Sequence, residues 1–143
     1  MNLTRTHIVD LARNHVGVPW RHMGRDHTGV DCVGLLISVW CDLGLSPQPK
    51  IPPYRAQPDG TMLRYFQKYM QPVVNLRSLK PGTAVVYSFQ GSPYHAGIVL
   101  DPDRGSIVHA LASKKRVVVD MLHHGKKTRK LLCAWDFPGV IDG

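Results

Sequence analysis

The apolar pattern of the chain changes once, near residue 83, and that change limits the folds open to it. Before it, apolar positions recur at helical spacing. Ile8, Leu11, Ala12 and His15 share one face, with Thr4 or Thr6 as the cap, and Gly17 and Pro19 stop the helix. A second helix starts at Asp31, with Leu36, Val39, Trp40 and Leu43 in phase and Gly44 where a C-terminal cap belongs. A third follows Asp59, with Met62, Leu63, Phe66 and Met70 as its apolar face. After residue 83 the chain reads as short apolar, often β-branched strands over 83–89, 96–100, 106–111, 116–122 and 130–137. Gly91-Ser92-Pro93, the Asp101-to-Gly105 turn, Lys114-Lys115 and Gly125 separate them, and connections this short favour antiparallel pairing. The expected class is α+β: N-terminal helices packed on a C-terminal antiparallel sheet of about five strands, one domain over 1–143.

Length and composition agree. A chain of 143 residues that is 43% hydrophobic and 20% charged can bury a core without staples. The cysteines are Cys32, Cys41 and Cys133; an odd number with no Cys-x-x-Cys argues against a disulfide framework and a structural zinc site. No cofactor and no metal are expected. No apolar run is long enough to span a membrane, and residues 1–7 do not read as a signal peptide, so action outside the cytoplasm would need another route. The net charge of +8, with eight histidines besides, favours an anionic partner. Its clusters, Lys114-Lys115-Arg116 and Lys126-Lys127 with Arg129-Lys130, read as solvated turns. Residues 46–60 hold five prolines and read as a long ordered loop rather than a linker.

The chemistry concentrates in Gly29-Val30-Asp31-Cys32-Val33-Gly34-Leu35-Leu36. Cys32 falls in the first turn of the second helix, just after an Asp that can cap it. Free N–H groups and the positive end of the dipole there favour a thiolate, so a lowered pKa is expected. Gly29 and Gly34 would let a substrate backbone approach closely. Packing alone would also explain a cysteine at this place, as it explains Cys41 and Cys133. A cysteine nucleophile needs a base, and the base an orienting group. His95 and His109 open and occupy neighbouring predicted strands, where antiparallel pairing can set them side by side. Of the remaining histidines (7, 15, 22, 27, 123 and 124), His22 and His27 lie in the loop before Cys32 and could line a groove. A zinc hydrolase with Cys32, His95 and His109 as ligands is the competing chemistry, and no short ligand pair supports it.

These pieces together resemble the NlpC/P60 family of papain-like cysteine peptidases. The matching stretches are Gly17-Val18-Pro19-Trp20-Arg21, Asp31-Cys32-Val33-Gly34-Leu35, Leu79-Lys80-Pro81-Gly82, His95-Ala96-Gly97-Ile98 and Ile107-Val108-His109-Ala110, in family order over nearly the whole chain. The resemblance is nearest to a branch found in phage tail tips and gene transfer particles, through Pro19-Trp20-Arg21-His22-Met23-Gly24-Arg25, the insert from Tyr54 to Met70, and Phe137-Pro138-Gly139-Val140. It implies Cys32 as nucleophile, His95 as base, His109 as the residue orienting that base, and Asp31 as a contact for the free amino end of a stem peptide. Trp20, Arg21 and Gly34 are the other expected substrate contacts. Trp20 stands where the family usually has a Tyr that assists the oxyanion, Val33 where it has Ser, and Thr83 where it has Asp.

The resemblance implies hydrolysis of peptidoglycan stem peptides from a virion or phage tail, assembled in the host cytoplasm beside other tail-tip proteins. The alternative is a structural tail-tip or assembly protein that keeps the fold with weak or no activity. A lipid acyltransferase on a related fold would place its His before its Cys, the reverse of the order here. Nucleic-acid binding would rest on charge alone, without aromatic residues interleaved in a basic stripe.

Overall fold

The computed structural model describes residues 3–54, 61–89, 92–123 and 130–142. The first strand, β1 (Leu3–Thr4), runs into helix α1 (Arg5–Asn14). Thr4 caps that helix by accepting from the His7 N–H at 3.2 Å, an interaction worth about 1 kcal/mol. A short hairpin, β2 (Arg25–Asp26) and β3 (Gly29–Val30), leads into α2 (Cys32–Asp42), and α3 (Met62–Tyr69) follows the proline-rich loop. The remaining strands are β4 (Gln71–Val73), β5 (Ala84–Phe89), β6 (Ser92–Asp101), β7 (Ser106–Leu111), β8 (Arg116–Met121), β9 (Lys130–Asp136) and β10 (Val140–Ile141). A single 3-10 turn, Ala112–Lys114, joins β7 to β8.

Six strands make the main sheet, in the order β4-β9-β5-β6-β7-β8, all antiparallel. The α+β reading therefore holds, with one strand more than expected. The addition, β4, is three residues long with Pro72 in the middle. It sits on the sheet edge, where a residue without an N–H is tolerated, and that composition hides a strand in the sequence. One face of the sheet, with Val86, Ala96, Ile98, Leu100 and Val108, packs on Ile8 and Ala12 of α1 and on Leu35, Val39 and Trp40 of α2. Val85, Tyr87, Val99 and Ile107 belong to a second cluster with Leu79 and Leu122.

The two ends of the described chain meet. β1 pairs with β10 in parallel, and Arg5 grips Asp136 with two bonds of 3.1 Å and Asp142 with one of 2.8 Å. Buried Thr83 donates to Asp136 at 2.8 Å, so this position serves the sheet rather than the chemistry.

The described part of the proline-rich loop is tied down by side chains from three elements. The Trp40 indole donates to the Pro47 carbonyl, the Tyr69 hydroxyl accepts from the Lys50 N–H, and Arg25 donates to the Ile51 carbonyl. The loop thereby delivers Tyr54 to the start of α2. Pro58, Asp59, Gly60, His124, Lys126, Lys127 and Arg129 lie outside the described residues.

Candidate functional site

The start of α2 is built around one carboxylate. Asp31 is buried; its Oδ1 accepts from the Gly34 N–H at 2.7 Å, and its Oδ2 accepts from the Met23 N–H at 2.8 Å and from the Tyr54 hydroxyl. The first backbone bond of the helix runs from Leu35 N–H to the Asp31 carbonyl. Gly34 is thus satisfied, and the N–H groups of Cys32 and Val33 are left as the helix's open donors. Both face the Cys32 sulfur, and so does the N–H of Ala96, the residue after His95. The helix start and strand β6 therefore meet at the sulfur.

This environment does not lower the thiol pKa. Burial first, and the Asp31 charge second, push Cys32 up to about 12 against those three N–H groups. A helix terminus supplies about 0.3–1 kcal/mol to an anion, less than a buried thiolate loses on leaving water. Burial and the Asp31 charge thus oppose the lowered pKa that the helix terminus alone would favour. Cys41 and Cys133 are half-buried thiols, also raised by burial, and Cys133 accepts from the Trp135 indole at 3.3 Å. What sets Cys32 apart is its ring of backbone donors.

The two histidines do meet. His95 on β6 and His109 on β7 are both buried, with His95 Nε2 2.8 Å from His109 Nδ1. Gly97 allows it: a Cβ there would come within 3.2 Å of the His109 Cβ, so a missing side chain leaves the His109 ring room to lean along the sheet. On the far side, His109 Nε2 lies 2.9 Å from Asp120 Oδ2 on β8. Val118 is the residue directly opposite His109, so Asp120 is its diagonal neighbour. Tyr87, paired with His95 across β5 and β6, lays its ring at 6.1 Å from the His95 ring and anchors its own hydroxyl on the Leu122 carbonyl at 2.6 Å.

Asp120 decides which nitrogen is which. A carboxylate only accepts, so the proton of a neutral His109 sits on Nε2 and its Nδ1 is a lone pair. That lone pair accepts from His95 Nε2–H. The lone pair of a neutral His95 is then on Nδ1, which makes Nδ1 its basic nitrogen. Asp120 was not among the expected residues. Its sole signal was a charge in Val117-Val118-Val119-Asp120-Met121, which reads equally well as a solvated strand position.

The other expected residues fare differently. Trp20 is half-buried against the core and bonded through its backbone to Lys115, while the Arg21 side chain is exposed. His22 lies 4.0 Å from Asp31 and edge-on to the Tyr54 ring, so it borders the site. His27 instead joins His15 and Asp42. Val33 lines an apolar groove with Leu36, Ile37, Phe66 and Tyr69, starting beside Cys32. Tyr54 was missed as a site residue. Its hydroxyl, raised in pKa by burial and then by Asp31, binds the carboxylate next to the nucleophile, and no periodicity in Pro52-Pro53-Tyr54 announces that.

Gly34 needs a correction. It is buried, and the space its Cβ would fill is taken by the Gly24 carbonyl, so the glycine admits protein backbone rather than substrate. Gly34→Ala is expected to cost about 1–3 kcal/mol of stability through overpacking, read as a lower urea midpoint.

Comparison with known proteins bears on this arrangement. The structure resembles the NlpC/p60 domain of the peptidoglycan hydrolase SagA (TM-score 0.65, 20% identity, 93% of this chain and 98% of that one). It resembles an NlpC/P60 family protein from Bacillus cereus (TM-score 0.71, 15% identity, 96% and 41%). It also resembles the peptidoglycan hydrolase RipB from Mycobacterium tuberculosis (TM-score 0.60, 19% identity, 92% and 63%). The chain therefore spans nearly all of the first and less than two thirds of the other two. No curated protein sequence matches at a significant level. The NlpC/P60 sequence pattern covers residues 17–136, from the turn after α1 to the end of β9, and so takes in Cys32, His95, His109 and Asp120: the chain belongs to the NlpC/P60 family.

Proposed function

We propose that the protein is a cysteine peptidase that cleaves peptidoglycan stem peptides, with Cys32 as nucleophile, His95 as general base and His109 as its orienting partner. The observation that carries this reading is the continuous path from Asp120 through His109 to His95, ending one residue from the Ala96 N–H that faces the Cys32 sulfur.

In the proposed reaction the Cys32 proton passes to His95 Nδ1 as the sulfur attacks the peptide carbonyl carbon. The N–H groups of Cys32 and Val33 donate to the oxyanion that forms. The C–N bond then breaks, and the proton on His95 goes to the leaving amine. Water, deprotonated by His95, hydrolyses the thioester and restores the thiol. Asp31, held by its three donors, offers with Tyr54 a polar wall for the amino end of a stem peptide.

An anionic wall polymer suits the net charge of +8, and the exposed Lys114, Lys115 and Arg116 turn lies beside Trp20, at one flank of the site. Carriage in a phage tail tip, beside other tail proteins, rests on the motif resemblance around residues 19–25 and 137–140.

The test is digestion of purified peptidoglycan by the full chain. New amino groups without new reducing ends are the expected products, because a peptide bond and not a glycosidic bond is cut. No release from several wall types by folded protein would overturn the reading and favour a structural tail-tip role, which the raised thiol pKa and Trp20 in the usual Tyr position would then explain.

A further inference from the structure

His15, His27 and Asp42 come from three separate elements and meet away from Cys32. His15 follows the end of α1, His27 forms the turn of the β2–β3 hairpin, and Asp42 ends α2. One ligand atom from each lies within 4.8 Å of the others. We propose that these three side chains form a transition-metal site of the zinc class that clamps the hairpin to the two helices.

The donor set suits such an ion. Two imidazoles and a carboxylate, with a fourth position for water, are a common zinc arrangement, and first-row divalent ions favour imidazole. His15 is the fixed member. It is fully buried, and its Nδ1 is 2.8 Å from the Leu11 carbonyl. That carbonyl accepts the Nδ1 proton, the outer bond that orients a metal-binding histidine, and leaves Nε2 as the lone pair, which accepts from Ser38 at 2.7 Å with Asp42 at 3.8 Å.

The other two members lie toward solvent, outside the packed core. The His27 side chain is 50% exposed and that of Asp42 31%, with His27 Nε2 at 2.8 Å and His15 Nε2 at 3.8 Å from Asp42 Oδ2. Zinc with bonds of about 2.0–2.1 Å needs donors about 3.3 Å apart, so from donors within 4.8 Å the two outer side chains must close by up to roughly 1.5 Å on the fixed His15. The His15 and His27 rings stack with their centres 4.1 Å apart, so His27 must swing out of the stack to bring a ring nitrogen into line with the ion. On binding, the His27–Asp42 hydrogen bond gives way to two bonds to the metal, and the His27 N–H moves to Nδ1. Ser38, now 2.7 Å from His15 Nε2, can turn its hydroxyl to a carbonyl one helical turn back. The clamp would hold the hairpin whose next residues are Asp31 and Cys32.

The experiment is a Zn2+ titration of the full, tag-free chain against a chromogenic chelator. It uses the Cys32→Ala variant, so that ions held by Cys32, His95 and His109 do not count. One zinc per chain is expected, weakened about 10-fold or more in His27→Ala and in Asp42→Ala, both outer side chains whose loss leaves the core intact. Cobalt in place of zinc should give visible bands without a thiolate charge-transfer band. Absence of zinc binding by folded Cys32→Ala protein, or binding unchanged in both outer variants, would overturn the proposal. The readout is metal binding, so it stands or falls apart from peptidase activity.

Discussion

Cys32→Ala is expected to reduce amino-group release from peptidoglycan by at least about 10³-fold, because without the sulfur no thioester can form. The fold should be unchanged, since alanine suits the first turn of a helix and the capping carboxylate of Asp31 is untouched. Equal release by variant and wild type would remove Cys32 from the mechanism. A companion measurement tests the resting state of the thiol. With its pKa pushed up to about 12, the thiolate fraction grows about tenfold for each unit of pH well below that value. Iodoacetamide labelling of the Cys32 peptide, followed by mass spectrometry, should therefore climb from pH 7 to pH 10 without a plateau. Asp31→Asn keeps a capping side chain but removes the second cause of the upward shift, so it should speed labelling at any given pH. A labelling rate already level at pH 7 would mean that thiolate and imidazolium exist before substrate binds.

Asp120→Asn is the second large effect expected, a loss of about 10²-fold in kcat with little change in KM. The amide can still accept from His109, but it carries no charge, and rotated about its bond it donates instead of accepting. Either change disturbs the proton order along the relay. Nitrogen-15 chemical shifts give the readout that a purely structural role would leave alone. In the wild type the proton should sit on Nε2 of both His109 and His95; in the variant a share of His109 should carry it on Nδ1. The size of the effect is moderated because the Asp120 side chain is 22% exposed and shares its charge with water. Unchanged tautomers together with unchanged kcat would make Asp120 a bystander.

Much of this protein is legible in one dimension. The cap, apolar face and stop of α1 and of α2 are all local features, and the structure places them at Thr4 and Asp31 as the spacing indicates. The five longer strands of the main sheet follow from β-branched runs between turn signals for the same reason. Tyr54 and Asp120 were not legible, because a site residue in an irregular loop or on an open strand face has no periodicity to mark it.

What the sequence by itself determined is the three helices, the five longer strands and the order of the chemical groups along them: a capped cysteine, then two histidines on successive strands. Only the tertiary structure decided their state. Burial and one adjacent carboxylate push the thiol pKa up against the helix terminus. A glycine expected to admit substrate is filled by the Gly24 carbonyl. A diagonal across β6, β7 and β8 extends the histidine pair to Asp120, and the packing of three elements brings His15, His27 and Asp42 together. The physical reason is common to all four. Periodicity and capping act over a few residues and are written in the chain, whereas desolvation, charge and contact depend on what the fold brings alongside.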